Sequence, residues 1–240
     1  MMVGMPSGGK RVSAGRGESA VVQHGQAAYI QRVASDGCVL SPEGRVMSIR
    51  WGIIGAGGVA RRRTMPAINA ARDAELTAVM VRDQARAEAL AEEFGAPRAY
   101  SDWRALLADD GVDAVHVATP VHLHAEQVVA AAEAGKHVMC DKPMAMSTDE
   151  CRRMIDACAS AGVHLQVCFL MRFGSSYGRL RREISAGEFG TILEARATIF
   201  KWFELDSGSW RVDSALGGGG PLMDLGAHTI DLLTYLVGPM

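Results

Sequence analysis

Hydrophobic and polar positions follow no sustained period of 2 or 3.6 over residues 1–46, then fall into regular order at Ser48-Ile49-Arg50. Ile49–Ile54 predicts a buried strand, followed by the turn Gly55-Ala56-Gly57-Gly58-Val59-Ala60 and a helix through about Ala71. Glu75–Val81 predicts a second strand. Gln84–Phe94 predicts a helix with apolar positions at Ala87, Leu90, Ala91 and Phe94, stopped by Gly95. Trp103–Ala108 reads as a short helix, and Ala114–Ala118 as a strand ending at Thr119-Pro120. An alanine-rich helix over His124–Ala134 closes at Gly135. Strand His137–Cys140, helix Thr148–Ala161 and strand Val163–Leu170 continue the rhythm. Such alternation predicts an α/β fold over residues 47–171, a parallel sheet with helices on both faces.

After Arg172 the rhythm changes. Tyr177–Ala186 predicts a helix, Thr191–Phe203 one long β-rich segment, and Pro221 to about Leu236 a helix after the Gly217–Gly220 run. A long strand and a helix without sheet partners cannot close a core. Residues 172–240 therefore read as the start of an incomplete second domain, with a further strand expected where the chain ends at Gly238-Pro239-Met240. Residues 1–46, rich in Gly, Ser, Arg and Val, read as a disordered extension, translated ahead of a start at Met47.

Composition narrows the classes. An apolar share of 48% and a charged share of 22% suit a soluble globular protein. A formal net charge of −2 gives no electrostatic case for nucleic acid or an anionic membrane. No apolar run approaches the ~20 residues that span a bilayer. The charged start lacks the apolar core of a secretory signal. Cys38, Cys140, Cys151, Cys158 and Cys168 form no CxxC pair, so they are read as reduced residues of a cytoplasmic protein.

Gly55-x-Gly57-x-x-Ala60 lies between a strand and a helix, the setting that a dinucleotide fingerprint requires. Gly55 permits the turn, Gly57 lets backbone approach a pyrophosphate, and Ala60 allows close helix–strand packing. The second strand ends Met80-Val81-Arg82-Asp83. With Val81 where an acid would read a ribose hydroxyl, and Arg82 after it, the pattern leans to NADP over NAD. The competing reading makes Arg82 a solvated loop residue and Asp83 a helix cap.

Asp141-Lys142-Pro143 follows a strand at its carboxyl end, where open α/β sheets bind ligands. A lysine there can donate to a hydroxyl or carbonyl, although a surface lysine is the plainer alternative. Asp224-x-x-x-His228 shares one helical face with Asp231, and a His–carboxylate pair is a plausible acid/base unit. Asp224 as a dipole partner and His228 as a packed core residue remain open. His116, His122 and His124 cluster at one strand end, but no recognised zinc spacing appears, and no metal is expected.

Together these stretches resemble the glucose–fructose oxidoreductase/inositol dehydrogenase (Gfo/Idh/MocA) family: WGIIGAGGVA at 51–60, VDAVHVATPVHLHAE at 112–126, AGKHVMCDKPMA at 134–145 and GGGGPLMDLGAHTIDLLTYLVG at 217–238. The resemblance implies a Rossmann domain binding NAD(P), followed by a substrate domain built mainly on an antiparallel sheet, here incomplete. It implies catalytic roles for Lys142, Asp224 and His228. Lys142 is then the lysine beside the nicotinamide, His228 the acid/base and Asp224 its support. Cofactor contacts are implied for Gly55, Ala56, Gly57, Gly58, Val59, Ala60, Thr119, Pro120, His124, Asp141 and Lys142, with Arg82 from the strand-end reading. Asp141 stands where the family usually has Glu. Trp210-Arg211 resembles a pair near the nicotinamide, and Arg172 is a weaker substrate or cofactor candidate. The implied activity is hydride transfer between the nicotinamide and a carbinol carbon of a sugar, polyol or related cyclic compound. A small-molecule substrate and a homo-oligomeric full-length form go with it. A cofactor-binding regulatory protein, or a lyase or glycosidase using transient oxidation, are the alternatives.

Overall fold

The computed structural model describes residues 48–202, 204 and 209–239. The extension read at 1–46 and the proposed start at Met47 lie outside them. Six parallel strands form one sheet in the order β3-β2-β1-β4-β5-β6. They are β1 (Ile49–Ile54), β2 (Ala74–Met80), β3 (Arg98–Tyr100), β4 (Ala114–Val117), β5 (His137–Cys140) and β6 (Leu165–Val167). This is the doubly wound dinucleotide-binding order, with its switch point between β1 and β4.

Side-chain alternation sorts the core into two layers. Trp51 and Ile53 point to the face covered by helices α1 (Met65–Ala70) and α2 (Gln84–Phe94). Ile54, Val115 and Val117 point to the face covered by α3 (Trp103–Leu107), α4 (His124–Glu133) and α5 (Thr148–Ala161). Trp51, Ile53 and Ile54 are fully buried, each contributing about 1.5–3 kcal/mol. Gly52 has no room for a side chain, since a Cβ there would meet Leu106 Cδ2 at 2.8 Å. The α3 layer can therefore lie directly on β1.

The crossover into β4 is pinned by polar groups that are half-buried or, at Lys136, buried. Asp109 accepts from the Gly111 amide at 2.7 Å, the Tyr100 hydroxyl at 2.8 Å and Arg98 at 2.9 Å. Lys136 donates to the carbonyls of Asp109 and Val112 at 3.0 and 2.8 Å. Burial alone would raise the Asp109 pKa, but these donors hold it below the ordinary carboxylate value.

Past β6 come a 3-10 turn at Leu170–Phe173, α6 (Ser175–Ser185), α7 (Ser214–Gly217) and α8 (Ala227–Val237). Two expectations change here. The strand expected over 163–170 shortens to β6 and gives way to that turn. The long strand expected at Thr191–Phe203 is absent: residues 191–202 join no ladder, and Phe203 lies outside the described residues. Its β-branched composition suits a half-buried pleated surface, but among the described residues no neighbouring strand completes one. Leu193, Phe200 and Trp202 are exposed accordingly. The β3 strand went unread because three residues carry no detectable period. Among the described residues no helix is long and apolar enough to cross a membrane. Cys140, Cys151, Cys158 and Cys168 are free.

His116 on β4 is 1% exposed, and neither ring nitrogen has a hydrogen-bond partner among the described residues. Burial pushes its pKa down to about 4 against a weaker pull from Asp141. The unfolded chain protonates near the ordinary 6.5, so acid favours unfolding progressively between pH 6.5 and 4. Urea unfolding at about pH 7.5 and 4.5 should show a stability loss that shrinks by roughly 2–3 kcal/mol in H116L. Equal pH slopes in the two chains would exclude this role for His116.

Candidate active site

The carboxyl ends of β1, β4 and β5 converge on one crevice. Gly55 leaves β1 with φ +88°, donates to the Met80 carbonyl at 3.0 Å, and abuts the turn after β4. A Cβ at Gly55 would sit 2.9 Å from both the Ala118 carbonyl carbon and Thr119 Cγ2. Only glycine satisfies both the dihedral and the space. Beyond it, Gly57 and Gly58 are open: a Cβ on Gly58 would meet nothing, and one on Gly57 only the Arg86 guanidinium at 3.4 Å. Ala56 and Ala60 are buried under this turn, whereas Val59 is exposed and leads into a π-helical turn at Ala60–Thr64. An open backbone cradle at a helix start fits the pyrophosphate of a dinucleotide.

At the end of β2, Arg82 is exposed, and Asp83 caps α2 by accepting from the Arg86 amide at 2.8 Å. Arg86 was missed in the sequence. Its signal was position: one helical turn beyond Arg82, on the side of α2 that faces the glycine turn.

His124 begins α4, just after the β4 turn. It is 1% exposed, with Nε2 2.8 Å from the Thr119 carbonyl and Nδ1 3.0 Å from the Pro143 carbonyl. The ring thus lies between the turns after β4 and β5, with one N–H able to donate to a carbonyl and the Cys140 thiol 3.4 Å from Nδ1. Thr119 donates to Gln127 at 2.6 Å, leaving Thr119 and Pro120 half-buried at the crevice wall. Asp141 accepts from the Lys142 amide at 2.8 Å, and the Lys142–Pro143 peptide is cis. Asp141 therefore orders the loop that carries the lysine.

Lys142 reaches across to the second part of the chain. Its Nζ donates to Asp224 Oδ1 at 2.7 Å and to the Asp224 carbonyl. Arg211, stacked 4.4 Å over Trp210, places Nε 3.5 Å from Asp224 Oδ2. Burial would raise the Asp224 pKa, but Lys142 chiefly, then Arg211 and His228, keep it lowered. A cavity of about 300 Å³ opens beside this carboxylate, lined by Arg211, Gly217, Gly220 and Phe200.

Asp224 and His228 make no hydrogen bond to each other among the described residues. Residues Leu222–Gly226 form a π-helical turn, and the equal-face rule for i, i+4 holds only at 3.6 residues per turn. Among the described residues His228 Nδ1 has no hydrogen-bond partner. Burial first, then the charge of Lys142, lowers the His228 pKa, so the imidazole is neutral at neutral pH. Asp231 pairs with Arg172, whose side chain stays 40% exposed. Among the described residues no group of three or more His, Cys, Asp and Glu side chains is placed to hold a metal ion.

Residues 49–169 match the model of an oxidoreductase family with an NAD-binding Rossmann fold, and 177–240 match a GFO/IDH/MocA C-terminal domain. A D-xylose 1-dehydrogenase (NADP(+)) of Haloferax volcanii is 38% identical over 190 residues, 78% of this chain and 57% of that protein. A solved levoglucosan dehydrogenase with NADH and levoglucosan superposes with a TM-score of 0.74 at 32% identity, covering 80% of this chain and 54% of its own. A 3-ketoreductase from Actinomadura kijaniata with NADP gives 0.69 at 30% identity, covering 80% and 58%. The chain thus spans little more than half the length of these proteins.

Replacing Gly55 by Ala should weaken NADPH and NADH binding together by roughly tenfold or more, because the clash moves the whole cradle. Cofactor fluorescence titration checks this. Unchanged affinity in a folded G55A chain would show that the cradle is not at this turn.

Proposed function

The chain belongs to the GFO/IDH/MocA oxidoreductase family, and from that membership we propose that its site interconverts a secondary alcohol and a ketone on a sugar, polyol or related cyclic compound. Bound NAD(P) supplies the hydride acceptor or donor. The contact between Lys142 and Asp224, at the crevice mouth beside the neutral His228, carries the reading. In the oxidising direction His228 takes the hydroxyl proton. Lys142 donates a hydrogen bond to the same oxygen as its C–O bond gains double-bond character. Asp224 holds the ammonium in place and stays ionised throughout. Arg211, on the far side of Asp224, lines the cavity where the rest of the substrate lies.

Residues 47–171 then form the cofactor domain. Residues 172–240 begin a substrate and oligomerisation domain whose complete form is mainly antiparallel sheet, in keeping with the C-terminal family match. Arg82 favours NADP, with Arg86 one turn on as a second cation at the same rim. The relatives themselves divide between the two cofactors.

Lys142→Met and His228→Asn should each lower kcat by about 10²–10⁴-fold, and His228→Asn should leave cofactor affinity within a few-fold. In the parent enzyme the acid limb of kcat/KM should fall below the ordinary imidazole value, since protonated His228 cannot accept the hydroxyl proton. A panel of polyols and cyclic sugars with both cofactors provides the assay. Loss of kcat of less than about twofold in both variants would reject the assignment. For cofactor choice, Arg82→Ala should cut the NADPH:NADH affinity ratio by about tenfold, the loss of one charge-assisted contact. An unchanged ratio would remove Arg82 from the phosphate site.

A further inference from the structure

In helix α8 only Asp231 and Leu232 are fully buried, and most of its other residues are half-buried. Polar contacts add direction to that packing. Two ion pairs supply them. Lys142 holds Asp224 in the π-helical turn that leads into the helix, and Arg172 holds Asp231 seven residues further on. Arg172 Nε lies 2.9 Å from both Asp231 oxygens, with a second nitrogen on Oδ1. The Asp231 side chain is 6% exposed and that of Arg172 40%. One turn on, the Tyr235 ring lies 5.3 Å from the Arg172 guanidinium and 4.2 Å from that of Arg181 on α6.

We propose that Arg172 and Asp231 form a latch that positions helix α8, so that Asp224 meets Lys142 and His228 faces the crevice. One attachment fixes a point on the helix; two, roughly 10 Å apart along it, fix its direction. Arg172 sits on the 3-10 turn directly after β6, part of the same rigid sheet that carries Lys142 on the β5 loop. The planar guanidinium fork is what suits the role, since it fixes the carboxylate's orientation as well as its distance. Arg172 and Asp231 are positioning residues: neither touches the reacting atoms. The inference rests on the reading of Lys142 and Asp224 given above, and needs a readout independent of turnover.

Lysine acetylation of the full chain by an N-hydroxysuccinimide ester, followed by mass spectrometry, provides one. Lys142 is 14% exposed and held by Asp224, so it should label slowly in the parent chain. In Asp231→Asn, which keeps the side-chain shape, Lys142 labelling should rise by roughly tenfold, a typical site-to-site coupling. Lys136, buried in the Rossmann domain on the carbonyls of Asp109 and Val112, should stay protected. Arg172→Lys keeps the charge without the fork and should give a smaller rise in the same direction. Should D231N fail to fold, Arg172→Lys alone decides the matter. Lys142 protection unchanged in a folded variant overturns the latch, as does a parallel rise at Lys136, which would mean general loosening. Rapid Lys142 labelling in the parent chain would overturn the Lys142–Asp224 pairing itself, and with it both readings.

Discussion

One ion pair joins the two halves of this site. Lys142 and Asp224 are 82 positions apart in sequence, and their contact is where the β5 loop and the last helix meet. Such a pair adds little to stability, because taking both charges out of water offsets most of their attraction. Its effect lies elsewhere. Lys142 keeps the aspartate ionised, and its charge adds to burial in favouring the neutral form of the neighbouring imidazole. That combination suits the proposed transfer of a hydroxyl proton to His228.

The contact is possible because the sheet edge beneath it is rigid. Gly55 lets the β1 and β4 turns close to van der Waals distance, and His124 ties the β4 turn to Pro143 beside the lysine. Asp141 then fixes the Lys142 amide. Backbone rather than side chains therefore determines where the ammonium starts from. Loops held this way lose little entropy when a ligand arrives.

Much of this was legible in the sequence. The parallel sheet followed from strand–helix alternation, and the glycine turn from its setting between a strand and a helix. Lys142 and Asp224 were open candidates on residue type and position, and the family resemblance singled them out. Their mutual contact did not, because no local pattern encodes a pairing over such a separation. A cofactor contact at His124 came from the family resemblance alone; its burial between two carbonyls is a tertiary feature that no local pattern shows. The strand at Thr191–Phe203 failed for the opposite reason. Its composition suits a strand, yet strands exist only in pairs, and pairing is a tertiary property.

The π-helical turn at Leu222–Gly226 explains the remaining discrepancy and carries the chemistry further. On a regular helix, Asp224 and His228 would share a stripe and their side chains would satisfy each other. The wider turn, following four glycines, separates them, sending the carboxylate to Lys142 and Arg211. Single-turn π segments inside helices recur at functional sites, and here the reason is concrete. Asp231 is engaged by Arg172, both His124 nitrogens face carbonyls, and His116 is sealed in the core. Half-buried His228 keeps Nδ1 unpartnered among the described residues, as its proposed role as proton acceptor requires. A regular helix would have closed that position with its own aspartate.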